Sequence, residues 1–221
     1  VISRPIQVAL SGSGFLLPVH VGALQAIEDA GYAISALSGT SGGAIVAAIY
    51  AVQQDAQKLA DLVLATDWRP FMDFESWTNG WRLLTRRGIC ATTALDTFLI
   101  QQTEGQSFAD LSMELFICAT NLLRGERRVF SRATTPDLPI ATAARASSSL
   151  PFVYPPKRIQ NRYYVDGGLT DNIPGNILRV FVICCVWPQI FREMSTFQSR
   201  NNLCMGERVS NVQNRKILCI V

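Results

Sequence analysis

Residues 39–43 read Gly39-Thr40-Ser41-Gly42-Gly43, and this pentapeptide decides how the rest of the chain is read. A serine in a G-x-S-x-G setting sits on a sharp strand-to-helix turn, its hydroxyl exposed at the end of a sheet. Glycines flank it because so tight a turn leaves no room for side chains. The helix that follows aims its N–H groups and its dipole at the serine, which favours a negative tetrahedral intermediate. A serine nucleophile also needs a base. The chain has one histidine, His20, and it precedes the serine, so nothing downstream of Ser41 supplies an imidazole. The base is therefore expected among the carboxylates.

On both sides of the elbow the apolar pattern is that of a parallel α/β sheet. Residues 7–10 form a short apolar strand and 11–14 its turn. Residues 18–30 read as a helix with Pro18 in its first turn and Gly31 as its stop. Residues 33–37 are a second strand running into the elbow, and 43–52, apolar all round, are a buried helix. Helices follow at 55–66 and 92–102, a strand at 115–120, and a hairpin through the turn 121–125 into 126–130. A small-residue helix at 140–147 ends before Leu150-Pro151. A strand at 160–165 then delivers Asp166-Gly167-Gly168. There is no internal repeat and no linker, so residues 1–221 read as one domain.

At 48% hydrophobic residues the chain is more apolar than a typical soluble enzyme. Its longest nearly unbroken apolar run, 180–188, is far short of the ~20 residues of a membrane span and reads as a buried strand. The first residues show no secretory signal pattern, and the missing initiator Met fits a processed or excised piece. A net charge of +3 is too small to argue for nucleic acid, and no nucleic-acid motif is present. The six cysteines show no C-x-x-C pair and no metal spacing. That excludes a disulfide framework or zinc site as the organising feature and fits a reducing, cytoplasmic compartment.

Two further segments carry chemistry. The small residues Gly12-Ser13-Gly14 after the first strand can present backbone N–H groups as an oxyanion hole. The rival reading is a dinucleotide loop, but Leu17 holds the third glycine position and no acidic residue ends the second strand. Asp166-Gly167-Gly168 places a carboxylate beside two glycines, which allows close approach to a serine. Aspartate, with pKa ~3.9 in water, serves as a base only when held at hydrogen-bond distance and partly desolvated. Taken alone, this segment reads more readily as a glycine turn capped by a solvated Asp.

Together these segments resemble the patatin-like phospholipase family, over roughly residues 7–174. The resemblance runs through Leu10-Ser11-Gly12-Ser13-Gly14, His20-Val21-Gly22-Ala23-Leu24, Gly39-Thr40-Ser41-Gly42-Gly43, Ala146-Ser147, Leu150-Pro151, Tyr164-Val165-Asp166-Gly167-Gly168 and Asp171-Asn172-Ile173-Pro174, in family order. It implies a three-layer α/β/α fold with a mainly parallel central sheet. It further implies Ser41 as nucleophile, Asp166 as base, and the amides of Gly12, Ser13 and Gly14 as the oxyanion hole. Gly39, Thr40, Gly42 and Gly43 would form the nucleophile elbow and Gly167 and Gly168 the dyad loop. The implied activity is lipid acyl hydrolysis through an acyl-serine, on a phospholipid or another acyl-ester lipid, with neither metal nor cofactor. An acyltransferase on the same dyad and a catalytically weak lipid-binding domain are the alternatives.

The chain departs from the family pattern in places. Leu16 and Leu17 stand where a basic residue and a further glycine usually follow, and Ser13 replaces the middle glycine. Losing the basic residue weakens binding of an anionic head group or shifts preference toward neutral lipids. Only residues 175–179 separate Pro174 from the apolar run, where the family has a crossover helix, so 175–221 is atypical. His20 reads as a packed structural residue and Asp171 as a local backbone cap. The aromatic and basic cluster at 68–87 suits peripheral membrane contact, and equally a cap over the sheet. Arg124, Arg127, Arg128 and Arg132 read as a solvated edge. Oligomeric state is left open by the sequence.

Overall fold

The structure is a computed structural model and describes residues 4–72, 92–178, 181–184, 210–212 and 215–220. Its centre is a mixed sheet. Strands β1 (Arg4–Leu10), β2 (Tyr32–Thr40), β3 (Glu114–Asn121), β7 (Phe181–Cys184) and β9 (Arg215–Ile220) pair parallel in the order β3-β2-β1-β7-β9. Antiparallel strands complete the sheet: β4 (Glu126–Phe130) beyond β3, β6 (Arg162–Asp166) on the C-terminal part of β3 with β5 (Lys157–Ile159) paired to it, and β8 (Ser210–Val212) beyond β9. The α/β reading with a mainly parallel central sheet holds. The apolar run near 180 enters the sheet as β7, preceded by one 3₁₀ turn at Pro174–Ile177 rather than a longer helix.

Helices α1 (Leu17–Asp29), α2 (Gly42–Gln53), α3 (Ala56–Ala65), α4 (Thr93–Gln102) and α5 (Ile140–Ser147) share one hydrophobic cluster with Val8, Leu10, Leu37, Leu115 and Ile117. Alternate strand residues face the other way: Ala9 and Ala36 pack with Leu178 and the partly buried Phe116. The two-residue period thus sorts β1, β2 and β3 between two faces, both covered, as expected of a parallel sheet. Local signals set the ends. Pro18 lies in the first turn of α1, Gly31 follows that helix at φ +77°, and the Asp55 side chain caps α3 by accepting the Lys58 N–H at 2.9 Å.

One arrangement in this sheet positions the site. β2 pairs with β3 from Glu114 to Cys118, β4 from Ile117 to Asn121, and β6 from Ala119 to Asn121. A strand has only two edges, and β4 overlaps both of the others, so β2 and β6 lie end to end along the same edge of β3. Being parallel and antiparallel to β3 respectively, they meet at their C-terminal ends, with Thr40 opposite Cys118 and Asp166 opposite Ala119. The second strand therefore runs past the expected 33–37, through Gly39 and Thr40, because β3 continues to pair with it.

Candidate active site

Ser41 occupies the point where β2 turns into α2, with φ 53° and ψ −121°. A non-glycine residue there costs about 1–3 kcal/mol and persists only when the surroundings impose it. The elbow glycines show what imposes it. A Cβ on Gly39 would stand 2.6 Å from the Gly43 carbonyl oxygen, and one on Gly43 would stand 2.5 Å from that of Leu10. Backbone packs directly on backbone here. A hydroxyl completes the clamp: Ser147 Oγ, on α5, accepts the Ser41 N–H at 2.9 Å and donates to the Cys118 carbonyl of β3.

Ser41 Oγ donates to Asp166 Oδ2 at 2.6 Å across 125 residues of sequence. The carboxylate is itself held. Its Oδ1 accepts the Gly168 N–H at 2.7 Å, its backbone N–H donates to the Ser149 carbonyl at 2.9 Å, and its carbonyl accepts from Thr120 Oγ1 at 2.8 Å. Asp166 is only 4% exposed. Burial raises its carboxyl above the ordinary value, since desolvation disfavours the charged form; the hydrogen bonds from Ser41 and Gly168 act in the opposite sense. Gly167 allows the approach, as a Cβ there would overlap the Cys118 carbonyl and stand 3.1 Å from the Thr40 methyl.

The glycine loop packs against the elbow, with the Gly14 carbonyl and Ser13 Oγ both against Gly42. Its three expected donors are not equivalent. The Gly12 N–H donates to the Asn172 carbonyl at 3.0 Å. The N–H groups of Ser13 and Gly14 make no hydrogen bond among the described residues. Ser13 Oγ is buried and has no partner among the described residues. His20 lies under the loop, fully buried, its Nε2 2.9 Å from the Ser11 carbonyl. That acceptor requires the Nε2–H tautomer, and burial lowers the imidazole pKa to about 4. His20 thus anchors the loop as a neutral ring.

Several residues around the dyad were not expected from sequence as parts of the site. Ser147 and Asn172 fall within the quoted motifs but with no role assigned, and Ser149 and Thr120 lie outside them; all four act through contacts to backbone far away in the chain, which no local pattern reveals. Asp171 is more than a local cap: it pairs with Arg127 at 2.5 Å, and its carbonyl accepts from Thr40 Oγ1 at 2.8 Å. Arg127 also bonds Asn176, and Arg132 donates to the carbonyls of Phe108 and Leu111, so the expected solvated edge is partly structural. Arg124, paired at 3.7 Å with Glu126 and well exposed, fits that expectation. Of the aromatic and basic cluster, Trp68 and Phe71 pack with Phe98, at ring separations of 5.3 to 5.7 Å. Phe74, Trp77, Trp81, Arg82, Arg86 and Arg87 lie outside the described residues. Cys118 is buried, which pushes its thiol up to about 12. Among the described residues no cluster of three or more His, Cys, Asp or Glu side chains could hold a metal, and no helix is long and apolar enough to cross a membrane.

Comparison with known proteins places this geometry in context. A sequence model described as patatin-like phospholipase matches residues 8–178. An uncharacterised protein of Acanthamoeba polyphaga mimivirus is 29% identical over 178 residues, covering 76% of this chain and 59% of that protein. An uncharacterised NTE family protein of Mycobacterium tuberculosis is 28% identical over 183 residues, covering 80% of this chain and 29% of its own length. The chain thus spans less than two thirds of these relatives. Among solved structures, VipD from Legionella pneumophila superimposes with a TM-score of 0.60 at 17% identity, over 98% of this chain and 61% of VipD. ExoU, in its complex with SpcU from Pseudomonas aeruginosa, gives 0.56 at 20% identity, over 98% and 44%. At these identities the structural likeness speaks for the fold.

Proposed function

The chain belongs to the patatin-like phospholipase family, and from that premise we propose that it hydrolyses acyl esters of lipids, with Ser41 as nucleophile and Asp166 as its base. The observation that carries the reading is the 2.6 Å hydrogen bond from Ser41 Oγ to the buried Asp166 carboxylate, made at a strained elbow. Asp166 takes the Ser41 proton as Oγ adds to the ester carbonyl, and the Ser13 and Gly14 N–H groups with the start of α2 stabilise the oxyanion. The same proton passes to the leaving alcohol. Water then adds to the acyl-serine, gives its proton to Asp166, and releases the fatty acid as Ser41 is reprotonated. Burial makes this possible by making the carboxylate a stronger base than aspartate in water.

An apolar substrate is supported by the surroundings of the site. Phe15, Leu16, Leu150, Phe152 and Leu169 are exposed, and they belong to the three segments that carry Gly14, Ser149 and Gly168. Exposed apolar side chains gathered around one site mark a surface for lipid contact. Leu16, standing where a basic residue is usual in the family, favours esters without an anionic head group. The test is covalent labelling with a fluorophosphonate combined with turnover of a short-chain ester. The protein is expected to be labelled at Ser41, and Ser41→Ala to lose both label and turnover while keeping its thermal stability. Turnover near the parent rate in the alanine variant would sink the assignment.

A further inference from the structure

Asn172 is a polar side chain at the mouth of the site that the Ser41–Asp166 mechanism leaves unused. Its backbone carbonyl holds the Gly12 N–H at 3.0 Å. Its carboxamide lies between the glycine loop and the turn that carries Asp166. A Cβ on Gly168 would stand 3.1 Å from Asn172 Oδ1 and 3.0 Å from Asp166 Oδ1. A Cβ on Gly12 would overlap Asn172 Oδ1 while standing 3.5 Å from the Ser41 Cβ. Both members of the dyad are therefore close to the carboxamide. Asn172 is exposed, and its carboxamide makes no hydrogen bond with the described residues. Other polar side chains of the site are committed: Asp171 to Arg127, Thr40 Oγ1 to the Asp171 carbonyl, and Ser147 Oγ to Ser41 and Cys118.

Resting on the reading of Ser41 and Asp166 given above, we propose that the Asn172 carboxamide binds the oxygen exchanged at the acyl carbon. That oxygen is the leaving alcohol's in the first step and the incoming water's in the second. In acylation the Oγ–C bond forms and the ester C–O bond breaks, and the proton Asp166 took from Ser41 goes to the leaving oxygen. In deacylation a water O–C bond forms, the water proton goes to Asp166, and it returns to Oγ as the C–Oγ bond breaks. The second step is the first in reverse with water for alcohol, so both oxygens occupy one place beside Asp166. A water bound only through the proton it gives to Asp166 is free to rotate its lone pairs away from the carbonyl. A second contact removes that freedom, and a carboxamide offers both a donor and an acceptor for it.

A p-nitrophenyl ester separates the two steps in the full chain, because p-nitrophenolate leaves without help from a proton. For Asn172→Ala the initial burst of p-nitrophenol is expected to keep its rate. Steady-state turnover should slow by roughly 10²-fold, the usual effect of removing one side-chain contact to a reacting oxygen, and acyl-enzyme should accumulate. Asn172→Asp keeps the size of the side chain and guards against a folding defect. Asp166 lies close to it across Gly168, and the adjacent Asp171 is paired with Arg127. A new carboxylate beside Asp166 makes the latter hold its proton more tightly, so the acidic limb of the kcat/KM profile should move to higher pH. The limb thus reports how near residue 172 lies to Asp166, while the split between burst and turnover reports its role. Equal slowing of burst and turnover, no change in either, or an unmoved limb would overturn the inference while Ser41 labelling persists. Loss of fluorophosphonate labelling in the parent protein would overturn the dyad reading together with it.

Discussion

Replacing Asp166 with asparagine leaves shape almost untouched and removes only the capacity to accept a proton. Among the described residues the carboxylate makes two polar contacts, 2.6 Å to Ser41 Oγ and 2.7 Å to the Gly168 N–H. An amide can satisfy Gly168 with its oxygen, but it then turns its NH2 group on Ser41. Loss of a general base costs ~10²–10⁴-fold in rate, or about 3–5 kcal/mol of barrier. Stability should move the other way. Burial raises the Asp166 carboxyl in the folded state, so its contribution to stability is fully present below the ordinary value of 3.8 and is lost as pH rises through the folded value. At neutral pH the parent carries a buried charge that the variant lacks. Asp166→Asn is thus expected to be inactive yet to unfold at a higher temperature at pH 7, with the gap closing below about pH 4. Ester turnover and thermal unfolding at both pH values check this. Turnover within tenfold of the parent would refute Asp166 as the base, and a lower melting temperature at pH 7 would refute the burial argument.

His20 should matter to stability rather than to chemistry. Its imidazole falls from 6.5 unfolded to about 4 folded, so its contribution is present above pH 6.5 and lost as pH drops toward 4, by roughly 3 kcal/mol. His20→Gln should flatten that part of the stability profile and retain most turnover; abolished turnover in a folded variant would reassign the base. Ser13→Ala keeps the loop amides and removes a buried hydroxyl that has no partner among the described residues. It should stabilise the fold by about 1 kcal/mol, seen as a melting temperature higher by a few degrees, and a lower one would show that Ser13 Oγ has a partner after all.

The elbow, the glycine loop and the Asp-Gly-Gly turn were legible in the sequence because each is a local backbone problem. A tight turn excludes side chains within a few residues, and that exclusion is written as Gly39, Gly42, Gly43, Gly12, Gly167 and Gly168, while Gly14 supplies a left-handed φ of +56°. The alternation of apolar residues likewise marked the central strands and the buried α2. A single histidine, placed ahead of Ser41 in the chain, turned the choice of base toward the carboxylates. Tertiary structure alone decided which groups meet. Ser41 and Asp166 face each other because β2 and β6 abut on one edge of β3, at Cys118 and Ala119, and strand pairing between segments far apart in the chain leaves no local pattern. For the same reason only the fold reveals that Ser147 clamps the elbow, that Arg127 holds Asp171, and that the Gly12 amide is committed to Asn172. A hydroxyl or an amide looks the same in sequence whether it bonds water or a carbonyl a hundred residues away; burial and distance decide which.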